Sequence, residues 1–351
     1  MVVYWSIFAY FALGTLLSPG QPARAARRGK TSVIWAFGIF LIVLMVGLRY
    51  QVGADWFPYQ RMYSFAGYAD LGKMMKFGDP GYQLLNWLIQ RAGLGLWMVN
   101  LICATIFSWG LARFARVQPN PWLTVLVAIP YLVIVVAMGY TRQGVAIGIL
   151  LAGLAALQSG APVTRFLVYA AAATLFHKTA VIAVPLVLFA SERNRFLNIV
   201  AGLAGAYALY SAFLAESVDV FVKNYVEAEY TAQGAAIRVA MDVVPAALFF
   251  LFRRRLNFQP EEDRLWRNFA LAAFGALAML QFMPQSTAVD RIALYLIPLQ
   301  LAVLPRLGMV LRARGTGNFI VVVYCFAIMF VWLNYAQHAD DWLPYQFYPL
   351  R

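Results

Sequence analysis

The sequence predicts an all-α, polytopic integral membrane protein with about twelve transmembrane helices, folded as one domain over residues 1–351. Three observations carry that prediction. The chain is 62% hydrophobic and only 12% charged, about half the charged fraction of a soluble domain. Apolar runs long enough to span ~30 Å of hydrocarbon recur from end to end, and mean hydropathy is +0.68. The basic residues also segregate by loop, as they do when positive loops stay on the cytoplasmic side.

Taken in order, the apolar runs fall at 2–18, 31–49, 95–113, 121–139, 143–158, 164–177, 179–190, 196–215, 238–253, 266–283, 291–305 and 317–335. The pair 164–177 and 179–190 is short, so one or both read as half-spans or tilted helices. Residues 80–92 (PGYQLLNWLIQRA) are too short to cross and read as an interfacial or re-entrant helix. The N-terminus lacks a basic stretch before its first apolar run, so no cleavable signal is expected.

Orientation follows from Arg24, Arg27, Arg28 and Lys30, which put the 18–31 loop in the cytoplasm. Alternation from there gathers 17 of the 28 basic residues, with four of the 15 acids, on the cytoplasmic side. The whole net charge of +13 falls inside, and both termini fall outside. External segments cover about 50–94, 216–237 and 336–351. A pI near 9.9 therefore reflects orientation, and no nucleic-acid partner is expected. Cys103 and Cys325 lie in apolar runs, where cysteine acts as a small buried hydrophobe.

Four arginines sit near the external boundary: Arg49, Arg142, Arg238 and Arg291. A cation at that depth costs ~2–3 kcal/mol unless paired or wetted. Any one of them alone reads as a snorkelling anchor or a structural ion pair, such as Asp55–Arg49 or Asp290–Arg291. Four on one face read as a pocket for an anion. Arg142, Arg238 and Arg291 each read as opening a helix, whose N-terminal N–H groups add to the anion cradle. Guanidinium forks suit phosphate oxygens, so a pyrophosphate carried on a lipid is the expected ligand.

The 50–94 segment is dense with aromatics and turn formers, among them Tyr50, Asp55, Trp56, Tyr59 and Tyr82. Such residues form interfacial belts, and they equally suit a carbohydrate, which stacks on rings and hydrogen-bonds to Asp, Asn and Gln. His177 and Lys178 lie at a break between half-length helices, a place where broken helices line protein cavities or water. Histidine also moves protons near neutral pH. No G-x-G-x-x-G, G-x-x-x-x-G-K-[ST] or H-E-x-x-H element, cysteine pair or carboxylate cluster occurs, so neither a cofactor nor a tightly bound metal is expected.

Arg49-Tyr50-x-Val52-Gly53-x-Asp55-x-x-x-Tyr59, then Asp79-Pro80-Gly81-Tyr82-x-Leu84-Leu85-Asn86, Thr141-Arg142-Gln143, His177-Lys178-Thr179-Ala180, and Asp290-Arg291 with Tyr295 appear in that order. This pattern resembles the EpsG family of Wzy-like exopolysaccharide polymerases over roughly residues 30–300. The family pattern often has Glu where this chain has Asp79. The resemblance implies a glycosyltransferase of the bacterial inner membrane, with a GT-C-like helical fold. Such an enzyme joins undecaprenyl-pyrophosphate-linked oligosaccharide repeats into exopolysaccharide or O-antigen on the periplasmic side, inverting and without metal.

On that reading Arg142, Arg238 and Arg291 bind the pyrophosphate. Arg49 either joins them or orients Asp55. His177 is preferred as the catalytic base with Asp55 on the acceptor sugar, the reverse being open. Tyr50, Trp56, Tyr59, Tyr82, Asn86, Gln143, Asp290 and Tyr295 are the sugar-binding candidates. The partners are the lipid-linked donor and acceptor and the membrane lipid; whether a chain-length regulator takes part is open. Two rivals remain. A lipid-linked oligosaccharide flippase would bring its cations to mid-span, and a polyprenyl-phosphate-dependent glycosyltransferase would show paired acids in the first external loop.

Overall fold

The computed structural model describes residues 1–18, 32–76, 78–190, 200, 235–282, 287–311 and 313–351. Among these, every regular element is a helix, and a single antiparallel bridge joins Arg49 to Phe347. Helices α1 (Val2–Leu17) and α2 (Val33–Gly47) lead into three short helices, α3 (Trp56–Phe65), α4 (Leu71–Lys76) and α5 (Pro80–Arg91). Then come α6 (Leu96–Arg116), α7 (Pro121–Ala128), α8 (Thr141–Gln158), α9 (Val163–Thr174) and α10 (Ala183–Leu188). The C-terminal part holds α11 (Ala235–Phe252), α12 (Pro260–Phe282), α13 (Thr287–Ala293), α14 (Pro298–Val303), α15 (Leu307–Val310) and α16 (Arg314–Tyr335).

Among the described residues, five helices are long and apolar enough to cross a membrane: Leu96–Arg116, Thr141–Gln158, Pro260–Phe282, Val289–Val310 and Gly315–Tyr335. Shorter apolar helices occupy Val2–Leu17, Val33–Gly47, Pro121–Ala137, Val163–Thr174 and Lys178–Leu188. All ten coincide with expected apolar runs. The expected run at 196–215, most of the external segment 216–237 and the Arg24–Lys30 cluster lie outside the described residues.

α8 is the central strut. Every residue of it except Arg142 and Leu157 is buried, as befits a helix that is apolar all round. Its Gly and Ala content lets α6 approach backbone to backbone. A Cβ placed on Gly110 would lie 1.8 Å from the Gly148 carbonyl oxygen, and one on Gly148 would lie 2.6 Å from the Phe107 Cα. Small residues at such crossings are how apolar helices gain packing where lipid supplies no hydrophobic drive.

Proline breaks the apolar runs in ways that hydropathy does not reveal. Pro130 withholds an N–H from the ladder, and Ile129–Ala137 is wound as a π-helix instead of continuing α7. The run expected at 291–305 is divided among α13, α14 and α15 by Pro298, Pro305 and 3₁₀ turns at Leu294–Leu296 and Leu304–Arg306. α9 stops at Thr174 rather than 177, and a 3₁₀ turn, Lys178–Ile182, precedes α10. Arg306, expected in a loop, is buried. It donates to Gln118 Oε1 at 2.7 Å, Gln118 donates to Gln158 Oε1 at 2.8 Å, and the guanidinium lies 4.1 Å from the Phe258 ring centroid.

The C-terminal tail folds back over one end of the bundle. Trp342 is buried; its indole N–H donates to the Ile134 carbonyl at 2.7 Å, and its own carbonyl accepts from the Tyr4 hydroxyl at 2.8 Å. The tail also grips the loop after α2, through Gly53 N–H to Asp341 O at 2.7 Å, Tyr50 N–H to Gln346 O at 2.9 Å and Tyr348 N–H to Leu48 O at 2.8 Å. Gly53 has φ +105 and sits against the Met138 carbonyl, where a Cβ would come within 2.6 Å. Only glycine fits there.

The Gly110–Gly148 crossing yields a direct test. Gly110→Val should force α6 from α8 and cost about 1–3 kcal/mol or more, read as a lower unfolding temperature in detergent, whereas Gly275→Ala, where an added Cβ meets nothing within 4 Å, should cost nothing.

Candidate active site

The predicted site residues converge on the end of the bundle that carries α3–α5 and the tail. Arg142 occupies the first turn of α8, and its Nη1 donates to Asp79 Oδ2 at 2.7 Å. Asp79 precedes Pro80 at the start of α5 and holds the N-cap position, yet it makes no side-chain cap. Its second oxygen accepts the Lys178 backbone N–H at 3.2 Å instead. The same junction is closed by Gly81 N–H to Leu175 O at 2.7 Å. One carboxylate thus ties α5, α8 and the His177 turn together. Burial raises the Asp79 pKa above the usual aspartate value, against the pull of Arg142 and Lys178.

His177 lies in the turn beyond α9, outside the helix. The hydroxyls of Thr179 and Tyr295 both stand within hydrogen-bond distance of its Nδ1, with Tyr295 at 3.1 Å, and Thr179 Oγ1 donates to the Tyr295 hydroxyl at 2.9 Å. Burial, then Arg142, Arg291 and Lys178, push the His177 pKa down to about 3. Asp55 stands at the N-cap of α3, half-buried. Burial raises its pKa, opposed by Arg291 and Arg142, so it sits within the field of both arginines.

A second ion pair joins Arg238 in α11 to Asp290 in α13. Asp290 therefore hydrogen-bonds to Arg238 across two helices. Arg291 is exposed in the last turn of α13, because the helix begins at Thr287. It does not open a helix, so no helix N-terminus adds its N–H groups to the arginine's charge. Its carbonyl accepts from Gln143 Nε2 at 2.8 Å, which fastens α13 to the first turn of α8.

Arg49 stands apart. It is 1% exposed, and its guanidinium donates to the carbonyls of Val46 and Val52 and to Thr141 Oγ1, the last at 2.8 Å. The Asn100 Oδ1 lies at 3.5 Å and the Trp56 ring centroid at 6.0 Å. Its donors are turned inward and neither reach a ligand nor orient Asp55. Most of the expected sugar-binding residues are also packed away. Trp56, Tyr59, Tyr82, Asn86, Gln143 and Tyr295 are buried; Tyr59 lies 5.9 Å from Arg142 and 5.4 Å from the Tyr82 ring. These side chains form the wall behind Arg142, so their faces are not open for stacking. Tyr50 and Asp290 remain partly exposed.

Two residues were not singled out as site residues from sequence. Asp79 stands in the sequence only as part of the Asp79-Pro80-Gly81-Tyr82 motif, and its pairing with Arg142 spans 63 residues. Asp242, one turn past Arg238, is 2% exposed and accepts from Gln300 Nε2 at 3.0 Å. An acid inside an apolar run is itself the signal that marks it. The Arg142 Nε is buried and unpartnered, a donor that points to water or a ligand. Among the described residues no three His, Cys, Asp or Glu side chains gather as a metal site.

Fold and site together define an all-helical membrane protein with a cluster of arginines and carboxylates at one end of its bundle. The family model of the EpsG family matches residues 32–347, nearly the whole chain, and the protein belongs to that family. No curated protein and no solved structure matches it.

The two classes of arginine should separate on heating. Arg49→Gln removes a buried charge from its carbonyl cage and should lower folded yield and unfolding temperature, by about 2–4 kcal/mol in stability. Arg291→Gln, exposed, should leave the unfolding temperature nearly unchanged.

Proposed function

We propose that the protein is a glycosyltransferase of the bacterial inner membrane that polymerises undecaprenyl-pyrophosphate-linked oligosaccharide repeats on the periplasmic side. A GT-C-like bundle presents the site, and the products are exopolysaccharide or O-antigen. Membership of the EpsG family supports polysaccharide polymerisation. The observation that carries the reading is the gathering of Asp55, Arg142, His177, Arg238, Asp290 and Arg291 at one end of the bundle, where a fixed enzyme needs them and a two-sided carrier does not.

In the proposed step an acceptor hydroxyl attacks the anomeric carbon of the donor sugar. The new C–O bond forms as the bond to pyrophosphate breaks, and the lipid pyrophosphate leaves with the electron pair. A single displacement inverts the anomeric centre. Arg142, Arg238 and Arg291 take up the growing charge on the leaving group, an electrostatic role suited to preorganised guanidinium groups and needing no metal ion. Arg142 Nε supplies a donor not already spent inside the protein. Arg49 is assigned to the scaffold.

The acceptor proton passes to Asp55. The surroundings support this over His177, because a protonated His177 would face Arg142, Arg291 and Lys178 with its Nδ1 already engaged. A carboxylate between two arginines, with its pKa raised by burial, is the better base. His177 then positions Tyr295 and Thr179 at the wall of the site.

Purified protein with its cognate lipid-linked oligosaccharide, without nucleotide, should give a ladder of lengthened products. Asp55→Asn should reduce it about 10²–10⁴-fold, and His177→Gln should retain more activity. A base must be deprotonated, so the rate should fall as pH drops through the Asp55 pKa, above the ordinary value of about 3.9, and the limb should persist in His177→Gln. A wild-type ladder from Asp55→Asn would remove the base, while intact substrate moved between liposome leaflets would make the protein a carrier.

A further inference from the structure

α8 runs from the Arg142 cluster to the opposite face, and its 18 residues separate the two ends by about 27 Å. At the far end, the last turn of α6 brings Arg113 and Arg116 to the wall of a cavity of about 380 Å³. Trp109, Ala112, Val117, Ala155 and Ser159 line the rest. None of these residues belongs to the site above, and the family motifs do not include them.

The charges here are unbalanced. Arg113 lies 5.4 Å from the Trp109 ring centroid and Arg116 lies 5.5 Å from that of Trp35. Among the described residues neither has a carboxylate within 4.0 Å. Two cations three residues apart on one helix repel each other. The helix C-terminus offsets part of that repulsion, but it does not account for an adjoining cavity with apolar walls. Trp109, 42% exposed, forms one rim, and the Ser159 hydroxyl is spent on the Ala155 carbonyl at 2.8 Å.

A soluble anion would have no use for such walls. A phospholipid headgroup would use both halves: its phosphate between the guanidinium groups, its glycerol and first acyl carbons against Trp109, Ala112 and Ala155. Basic pockets between helices on the cytoplasmic side bind lipid headgroups for this reason. We propose that the Arg113–Arg116 cavity binds the phosphate of an anionic phospholipid in the leaflet opposite the Asp55 site.

Native mass spectrometry of the full chain with phosphatidylglycerol or phosphatidylcholine tests this. Wild type should retain phosphatidylglycerol about tenfold more tightly than Arg113→Gln/Arg116→Gln, with no such preference lost in Lys73→Gln on the other face. Ser159→Phe, which fills the cavity from an exposed position and keeps both charges, should also lose it. Unfolding temperature in phosphatidylcholine reports whether each variant is folded. Equal phosphatidylglycerol binding by the folded double variant would overturn the site. Retention in Ser159→Phe alone would reduce it to surface charge, and competition by millimolar inorganic phosphate would make it a soluble-anion site; either result overturns the proposal.

Discussion

A guanidinium sealed from water must find every partner within the protein, and Arg49 does so with backbone oxygens rather than with an acid. The carbonyls of Val46 and Val52 and the hydroxyl of Thr141 receive its protons. Stripping such partners from a buried charge costs several kcal/mol, so the groups that supply them are held in register. Those groups belong to the end of α2, the loop that follows it and the first turn of α8. Val52 lies three residues before Asp55, and Thr141 immediately precedes Arg142. The distance between the two residues that flank the proposed chemistry is therefore fixed from beneath, by a cation whose own donors are turned into the protein.

Above that knot the charges are arranged as interlocked pairs. Asp79 holds Arg142, Asp290 holds Arg238, and Asp55 stands in the fields of Arg142 and Arg291. Pre-pairing lowers the cost of keeping cations at an apolar boundary. On the proposed reaction, the leaving group would meet guanidinium groups whose orientation is already set, so little reorganisation would be needed as charge develops.

Much of this was legible in the sequence. Helix positions followed from apolar runs, and the arginines, His177 and Asp55 stood out because polar residues at apolar boundaries are expensive. What stayed hidden depended on long-range pairing. Nothing local to Arg49 distinguishes a caged structural arginine from a ligand-binding one, and the difference lies in where the Val46 and Val52 carbonyls point. The aromatics of 50–94 were legible as rings but not as buried rings, since belt, wall and sugar platform share one composition. Arg291 looked like a helix opener because the apolar run begins there, although Thr287 with Asp290 three residues on carries the helix-start signature that hydropathy passes over. The π-helix at Ile129–Ala137 was marked only by Pro130, which a hydropathy reading passes over.

The tail contacts also set an order of events during biosynthesis. The loop that carries Asp55 takes two of its backbone partners from Asp341 and Gln346, and the wall at Ile134 is closed by Trp342. These contacts join residues about 200 to 300 positions apart, which makes them late steps in chain assembly. Until the ribosome has released that stretch, a partly inserted chain holds its cations and acids without the geometry that couples them. The register of that loop thus waits on residues 341–346, and a chain stalled before Asp341 would hold the loop without two of its backbone partners.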